Sequence, residues 1–326
     1  MERYKLILKG PKQLEWETNE IRSIQDDEII VKTIAGAISI GAELPQYNGS
    51  DVTDTNPFYP RKTGYESYGE VIRVGNKVTN LKVGDKVVSF YGHETIGIVK
   101  AHKVIRVPSS IQPKVALLSI LSCDAAKGVL KLNPSKNKKV LITGLGVIGL
   151  LACYYLKNNV GVEYVDVVEP DGTRREFAKK FGVKNTFDSE EQIIETYDYG
   201  FECSATNSGF HVLQKALKTN GQICILSDGN IEELTLTANF YQKELQIIGS
   251  SDGYDYQKHA AWFFKEIRKT PFIEEIFQHE IQYTSLIQCF EELRSGVIKQ
   301  KYMFHMNNEK IEKIFVTNLT SVSSHL

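Results

Sequence analysis

Apolar and polar positions divide the chain into two regimes. Through the first 110 residues or so, short apolar runs are separated by Gly, Asn and Asp: Ile29-Ile30-Val31, Glu70-Val71-Ile72-Arg73-Val74 and Lys86-Val87-Val88-Ser89-Phe90. That is the pattern of strands joined by turns. From Pro113 the period lengthens. Val115, Leu117, Leu118 and Leu121, then Ala125 to Leu132, fall at helical spacing, and Asn133-Pro134-Ser135 ends the helix. Strands and helices then alternate as far as Ser251: strand Tyr199 to Cys203, helix Phe210 to Leu217, strand Gln222 to Leu226 and strand Leu245 to Gly249. Alternation of this kind predicts a parallel sheet with helices on its faces. Two more helices, His259 to Arg268 and Thr284 to Ser295, precede a last strand-like run. The Ser/Thr-rich tail Thr317 to Leu326 is expected to fray.

The most specific stretch lies where this alternation begins. Val140-Leu141-Ile142-Thr143 reads as a buried strand running into Gly144-Leu145-Gly146-Val147-Ile148-Gly149, a G-x-G-x-x-G turn, and then into an apolar helix, Leu150 to Leu156. Gly144 allows the tight turn, Gly146 lets backbone approach a pyrophosphate, and Gly149 lets helix and strand pack closely. The helix start, with Val147 and Ile148, presents free N–H groups to the phosphates. Glu169 closes the next apolar strand, Tyr164 to Val168, and is placed to accept from a ribose 2′-hydroxyl. The same carboxylate would repel a 2′-phosphate, which favours NAD. Arg174 and Arg175 open the following helix, and an arginine there can accommodate NADP. Ligands bind beyond the C-terminal ends of parallel strands, so Ser204, Ala205, Ser227 and Ser250 are further cofactor-binding candidates.

Length and composition narrow the picture. A chain of 326 residues exceeds what one core usually serves, so two domains are expected. A net charge of −1 offers no global field for nucleic acid or an anionic membrane. The uncharged segment Val140 to Leu156 is shorter than the ~20 residues of a membrane span and carries three glycines. Met1-Glu2-Arg3-Tyr4-Lys5 does not open a signal peptide. The five cysteines are scattered and never form C-x-x-C, which points to a reducing, cytoplasmic setting.

Three further segments carry a resemblance. Lys82-Val83-Gly84-Asp85-Lys86-Val87 is similar to the V-G-D-x-V strand of the medium-chain dehydrogenase/reductase superfamily, of zinc-type alcohol dehydrogenase character. Gly64-Tyr65-Glu66-Ser67-Tyr68-Gly69-Glu70-Val71 resembles its G-H-E-x-x-G-x-V segment, and Val31 to Glu43 the loop with its first metal ligand. The resemblance covers essentially the whole chain. It implies an α/β protein: a doubly wound parallel Rossmann domain at 122–252, and a β-rich GroES-like catalytic domain at 1–121 completed by a C-terminal segment at 253–326. It also implies hydride transfer between nicotinamide and an alcohol or carbonyl in the interdomain cleft, and suggests a homodimer.

The chain departs from the family at the metal. By this resemblance the first ligand position falls on Ser39 and the second on Tyr65. The third lies near Ile120 to Asp124, where Cys123 or Asp124 could serve. A serine hydroxyl and a phenol are poor zinc ligands at neutral pH, and Ser89 to Lys103 lacks the four cysteines of a structural zinc. No zinc is therefore expected. The substrate oxygen must then be polarised by a side chain with a usable pKa. His93, in Phe90-Tyr91-Gly92-His93-Glu94, is the leading candidate, on a loop expected to face the cleft. Tyr65 is either a hydrogen-bond donor to the substrate or an aromatic wall. Ser39 fills the place of a cysteine, and Glu43 or Glu66 could orient or charge the site. The match is strongest to a zinc-less branch similar to bacteriochlorophyllide hydroxyethyl dehydrogenase-like proteins, through Ile38-Ser39-Ile40-Gly41-Ala42-Glu43 and Gly92-His93.

The expected function is a zinc-independent NAD(P)-dependent oxidoreductase. It would interconvert a secondary alcohol (a polyol, sugar, cyclitol or biosynthetic intermediate) and its ketone. A quinone or enoyl reductase and a non-catalytic nucleotide-binding protein are the alternatives. The partner is a small-molecule substrate, with no nucleic acid and no membrane.

Overall fold

The computed structural model describes residues 1–189, 193–194, 196–296 and 301–306; the expected frayed tail lies outside them. Two large sheets organise these residues, beside a small three-stranded one in which the first hairpin pairs with Arg61–Lys62. The first is built around a long strand, β3 (Glu28–Ile38), preceded by the hairpin β1 (Glu2–Gly10) and β2 (Gln13–Glu20). After it come helix α1 (Ile40–Asn48) and strands β4 (Arg61–Lys62), β5 (Glu66–Val74), β6 (Lys86–Ser89), β7 (Ile96–Lys100) and β8 (Ile105–Val107). β5 runs antiparallel along one edge of β3. On the other edge β7 pairs with its first half and β16 (Lys301–His305) with its second. β15 (Phe277–Gln282) pairs parallel with β16, so residues from the end of the chain complete the first sheet.

The second sheet is parallel throughout. It comprises β9 (Lys139–Thr143), β10 (Tyr164–Val168), β11 (Thr186–Phe187), β12 (Tyr197–Glu202), β13 (Leu217–Ile225) and β14 (Gln246–Gly249), in the order β11-β10-β9-β12-β13-β14. Central strand β9 buries Val140, Leu141 and Ile142 completely, as expected when helices cover both faces. The connecting helices are α3 (Val147–Tyr155), α4 (Gly172–Lys179), α5 (Asn207–Ala216) and the short α6 (Ala238–Gln242). The strand order reverses between β9 and β12, the topological switch point at which such sheets bind ligands.

Helix α2 (Pro113–Leu132) joins the halves. Proline at its first turn costs no hydrogen bond, and Asn133, in the left-handed conformation (φ 45°), closes it with its N–H on the Val129 carbonyl. Its buried face shares one core with Ala35, Ala37 and Tyr68 of the first sheet and Val140 and Ile142 of the second. The domain boundary expected at 121/122 falls inside this helix. Helices α7 (Tyr256–Glu266) and α8 (Leu286–Arg294) follow the parallel sheet. Among the described residues no helix is long and apolar enough to cross a membrane.

Candidate active site

The glycine turn sits at the switch point. Gly144 has φ +86°, and a Cβ there would lie 2.6 Å from the Ser204 Cα, so the loops after β9 and β12 are in backbone contact. A Cβ on Gly149 would lie 2.0 Å from the Gly144 carbonyl oxygen, because α3 closes directly on the turn. Gly146 differs: its Cβ would meet no atom within 4 Å, in front of the first turn of α3. Val147 and Ile148 form that turn and pack partly into the core. The Glu169 carboxylate is fixed beside it by the N–H groups of Leu145 (2.8 Å) and Asp171 (3.1 Å). Arg174 lies 3.8 Å from that carboxylate, and Arg175 donates to the carbonyls of Glu169 (2.6 Å) and Pro170 (2.7 Å).

Beyond β12, the N–H groups of Ser204 (2.7 Å) and Ala205 (3.1 Å) both donate to Glu202, whose buried carboxyl is raised above its ordinary range by desolvation. This holds Ala205 at φ +57°. Ser227 donates its N–H to the Glu202 carbonyl (3.1 Å). Thr143 Oγ1 and Ser250 Oγ are buried with no hydrogen-bond partner among the described residues. Unfilled ground over Gly146, a helix start, a fixed carboxylate and two orphaned hydroxyls together fit a dinucleotide.

The second half of the site lies where three strand ends meet. Ser39 follows the last residue of β3, and Tyr65 precedes the first residue of β5. The Tyr65 hydroxyl donates to Ser39 Oγ at 2.6 Å. Burial, and next the Glu66 charge, push the phenol well above its ordinary pKa, so it stays protonated and can donate. The Ser39 N–H donates to Glu43 Oε1 (2.8 Å), a carboxylate reaching back over the first turn of α1, and Glu43 Oε2 meets His93 Nε2 at 2.8 Å.

One expectation needs correcting here. His93 does not face the cleft; its side chain is 0% exposed. Its N–H donates to Thr63, its carbonyl accepts from Leu6, and its ring meets Phe304 edge-on at 4.9 Å. The ring also lies against the backbone of Gly64, where a Cβ would be 2.3 Å from it. The segment read as a metal-ligand loop is likewise strand β3 as far as Ile38, followed by helix α1. Glu66 is fully buried and pairs with Lys301, a partner 235 positions away for which the sequence carries no local signal.

The donor set does not fit zinc. Ser39 and Tyr65 are bonded to each other. Cys123 is a buried thiol pushed up to about 11 by desolvation, with its Sγ against Gly253. Among the described residues, no group of three or more His, Cys, Asp or Glu side chains could hold a metal ion.

Asp124 is the second candidate at the third metal-ligand position. It accepts from the Tyr256 hydroxyl (2.8 Å), which itself accepts from the Gly253 N–H (2.7 Å). Desolvation, the largest cause, pushes its carboxyl up from 3.8 to about 7. Between about pH 4 and 7 the folded chain therefore holds a proton that the unfolded chain has released, and stability falls as pH rises through that window. Asp124→Asn removes this penalty. It should stabilise the protein by about 1–2 kcal/mol more at pH 8 than at pH 4, after discounting the partly open side of the carboxyl. Equal effects at both pH values in thermal melts would mean that Asp124 titrates as a solvated acid.

Comparison with known proteins agrees with this architecture. A family model described as zinc-binding dehydrogenase matches residues 147–265, and one described as the alcohol dehydrogenase GroES-like domain matches residues 25–94. The chain is 22% identical over 330 residues to L-threonine 3-dehydrogenase of Vibrio cholerae, covering 88% of this chain and 94% of that protein. Among solved structures it is similar to galactitol-1-phosphate dehydrogenase of Escherichia coli, with TM-score 0.80 and 18% identity over 93% of this chain and 100% of that one. Acetophenone reductase of Geotrichum candidum in complex with NAD gives TM-score 0.80 and 19% identity over 94% and 98%.

Proposed function

Because the chain belongs to the alcohol-dehydrogenase-like, medium-chain dehydrogenase/reductase superfamily of NAD(P)-dependent oxidoreductases, we propose that it interconverts a secondary alcohol and its ketone without zinc. The alcohol is a polyol, a sugar, a cyclitol or a biosynthetic intermediate of that kind. The observation that carries this reading is the 2.6 Å hydrogen bond from Tyr65 to Ser39, at the two positions where the family resemblance would put metal ligands. Relatives named as dehydrogenases of L-threonine and galactitol 1-phosphate support a hydroxylated small molecule as substrate.

The nicotinamide, when bound, supplies the hydride acceptor or donor. Gly146 and the start of α3 would hold the pyrophosphate of the dinucleotide, and Glu169 would accept from the adenosine ribose, which favours NAD. At the reacting end, Ser39 accepts from Tyr65 and is left with its own proton to direct at the substrate oxygen. In ketone reduction Ser39 gives its proton to that oxygen as the hydride arrives and is reprotonated from solvent; in alcohol oxidation it takes the hydroxyl's proton while passing its own to solvent, with Tyr65 orienting it in both directions. Glu43 fixes the Ser39 backbone, and His93 fixes Glu43 from behind. Each is a positioning residue in this reading. We also propose a cytoplasmic setting, in keeping with five free cysteines, and, from the family resemblance alone, a homodimer.

The test uses chelator-dialysed protein of measured metal content. NAD reduction with a panel of secondary alcohols is compared with NADPH oxidation by a quinone and an enone. Alcohol-dependent NAD reduction, undiminished by chelation and not raised by added zinc, is expected. Activity that disappears on chelation and returns with zinc would overturn the metal-free reading. Turnover confined to the quinone or enone would make the chain a reductase of activated double bonds. Tight nucleotide binding with no turnover would make it a binding protein.

A further inference from the structure

A buried ammonium group lies directly behind Ser39 and Tyr65. Lys301 is 3% exposed and Glu66 is fully buried. The Lys301 ammonium donates to Glu66 Oε1 and to the Ile38 carbonyl (3.3 Å), with the Phe277 ring 5.7 Å away. The other Glu66 oxygen has no hydrogen-bond partner among the described residues. Burial pushes the Glu66 carboxyl upward, and the neighbouring ammonium opposes that push.

Stability alone is a poor reason for such a pair, because an apolar pair of equal volume usually does as well. Its position supplies a better one. β3 ends at Ile38, β5 begins at Glu66 and β16 begins at Lys301. Ala37 faces Glu66 across one ladder, and Ile38 faces Tyr302 across the other. Ser39 and Tyr65 are therefore the first residues past the paired strand ends. Lys301 bonds the residue before Ser39 and the residue after Tyr65, and so clamps the two short arms that carry the hydroxyls.

We propose that Lys301 is a positioning residue for the reaction, its ammonium setting the separation of Tyr65 and Ser39 through Glu66 and the Ile38 carbonyl. The proposal rests on the reading of Tyr65 and Ser39 as the groups that handle the substrate proton. It makes the C-terminal segment part of the site, although none of its side chains need touch substrate. Misplacement by about 1 Å is enough to slow such a step by up to about a hundredfold.

The test compares Lys301→Arg with the double variant Lys301→Met/Glu66→Gln, which removes the clamp without stranding a buried charge. In the double variant, kcat should fall about thirtyfold, with KM for the alcohol and the Kd for NADH within about threefold of the parent. The solvent deuterium isotope effect on kcat should rise as the proton step becomes limiting. Lys301→Arg should recover most of the turnover. Parental kcat and an unchanged isotope effect in the folded double variant would overturn the proposal. A crystal structure of that variant gives a readout free of activity. Its Tyr65–Ser39 hydroxyl distance should lengthen past hydrogen-bond range from 2.6 Å, and retention of that distance would overturn the clamp. If the parent chain oxidises no alcohol, the functional reading has failed, and the crystallographic distance still decides the clamp.

Discussion

Replacing Gly146 with valine should sharply weaken dinucleotide binding and leave the fold intact, whereas Gly149→Ala should destabilise the fold itself. The two glycines are three residues apart in one turn, yet they meet opposite surroundings. At Gly146 the backbone is extended (φ −67°, ψ −173°), a conformation open to any L-residue, and an added Cβ would touch nothing within 4 Å. The first carbon of the valine side chain therefore meets no strain and no protein atom there. What it obstructs is the approach of phosphate to the first N–H groups of α3. The Kd for NADH, read by fluorescence titration, should rise by about a hundredfold or more, equivalent to ~2.7 kcal/mol, with the melting temperature nearly unchanged. At Gly149 the added carbon would lie 2.0 Å from the Gly144 carbonyl oxygen. Backbone must move to admit it, so that variant should lose several kcal/mol of stability, of the order of core overpacking or more. Wild-type NADH affinity in Gly146→Val would mean that the phosphates lie elsewhere.

That turn was legible in the sequence because all its signals are local. Strand, turn, helix and Glu169 fall within 30 residues, and each part has a composition that follows from its job. The parallel sheet was legible for the same reason, since alternation of strand and helix fixes the layer order. Helix α1 was not. Ile40-Gly41-Ala42-Glu43-Leu44-Pro45 holds a glycine in the first turn and a proline inside the helix, so its local propensity argues against the state it adopts. The loop neighbours Gly92 and Glu94 argue for a cleft-facing His93. Its burial depends on Gly64, which lies far off in sequence and whose missing side chain leaves room for the ring. The Glu66–Lys301 pair and the Asp124–Tyr256 bond are likewise products of tertiary packing. No periodicity records such contacts.

Tyr65→Phe should lower turnover by about a hundredfold to a thousandfold while leaving cofactor affinity and the fold unchanged. The substitution removes one hydroxyl and keeps the aromatic volume, so it separates a proton donor from an aromatic wall. Without that donor, Ser39 Oγ loses the 2.6 Å bond that orients its own proton toward the substrate. Ser39→Ala should cost a similar factor, and the double variant little more than either alone, because the two act as one unit. His93→Ala should also cost about a hundredfold, through Glu43 and the backbone of Ser39, but with a loss of stability that Tyr65→Phe does not share. The pH profile provides an independent check. Burial and the adjacent Glu66 charge hold the Tyr65 phenol well above its ordinary pKa of 10.0, so it remains a donor throughout the accessible range. Tyr65→Phe should therefore scale the kcat–pH curve downward without changing its shape below pH ~10. A variant with parental turnover would reduce Tyr65 to a wall of the pocket. One that abolished only an alkaline limb would mean that the phenol ionises in the reaction, as a base in its own right.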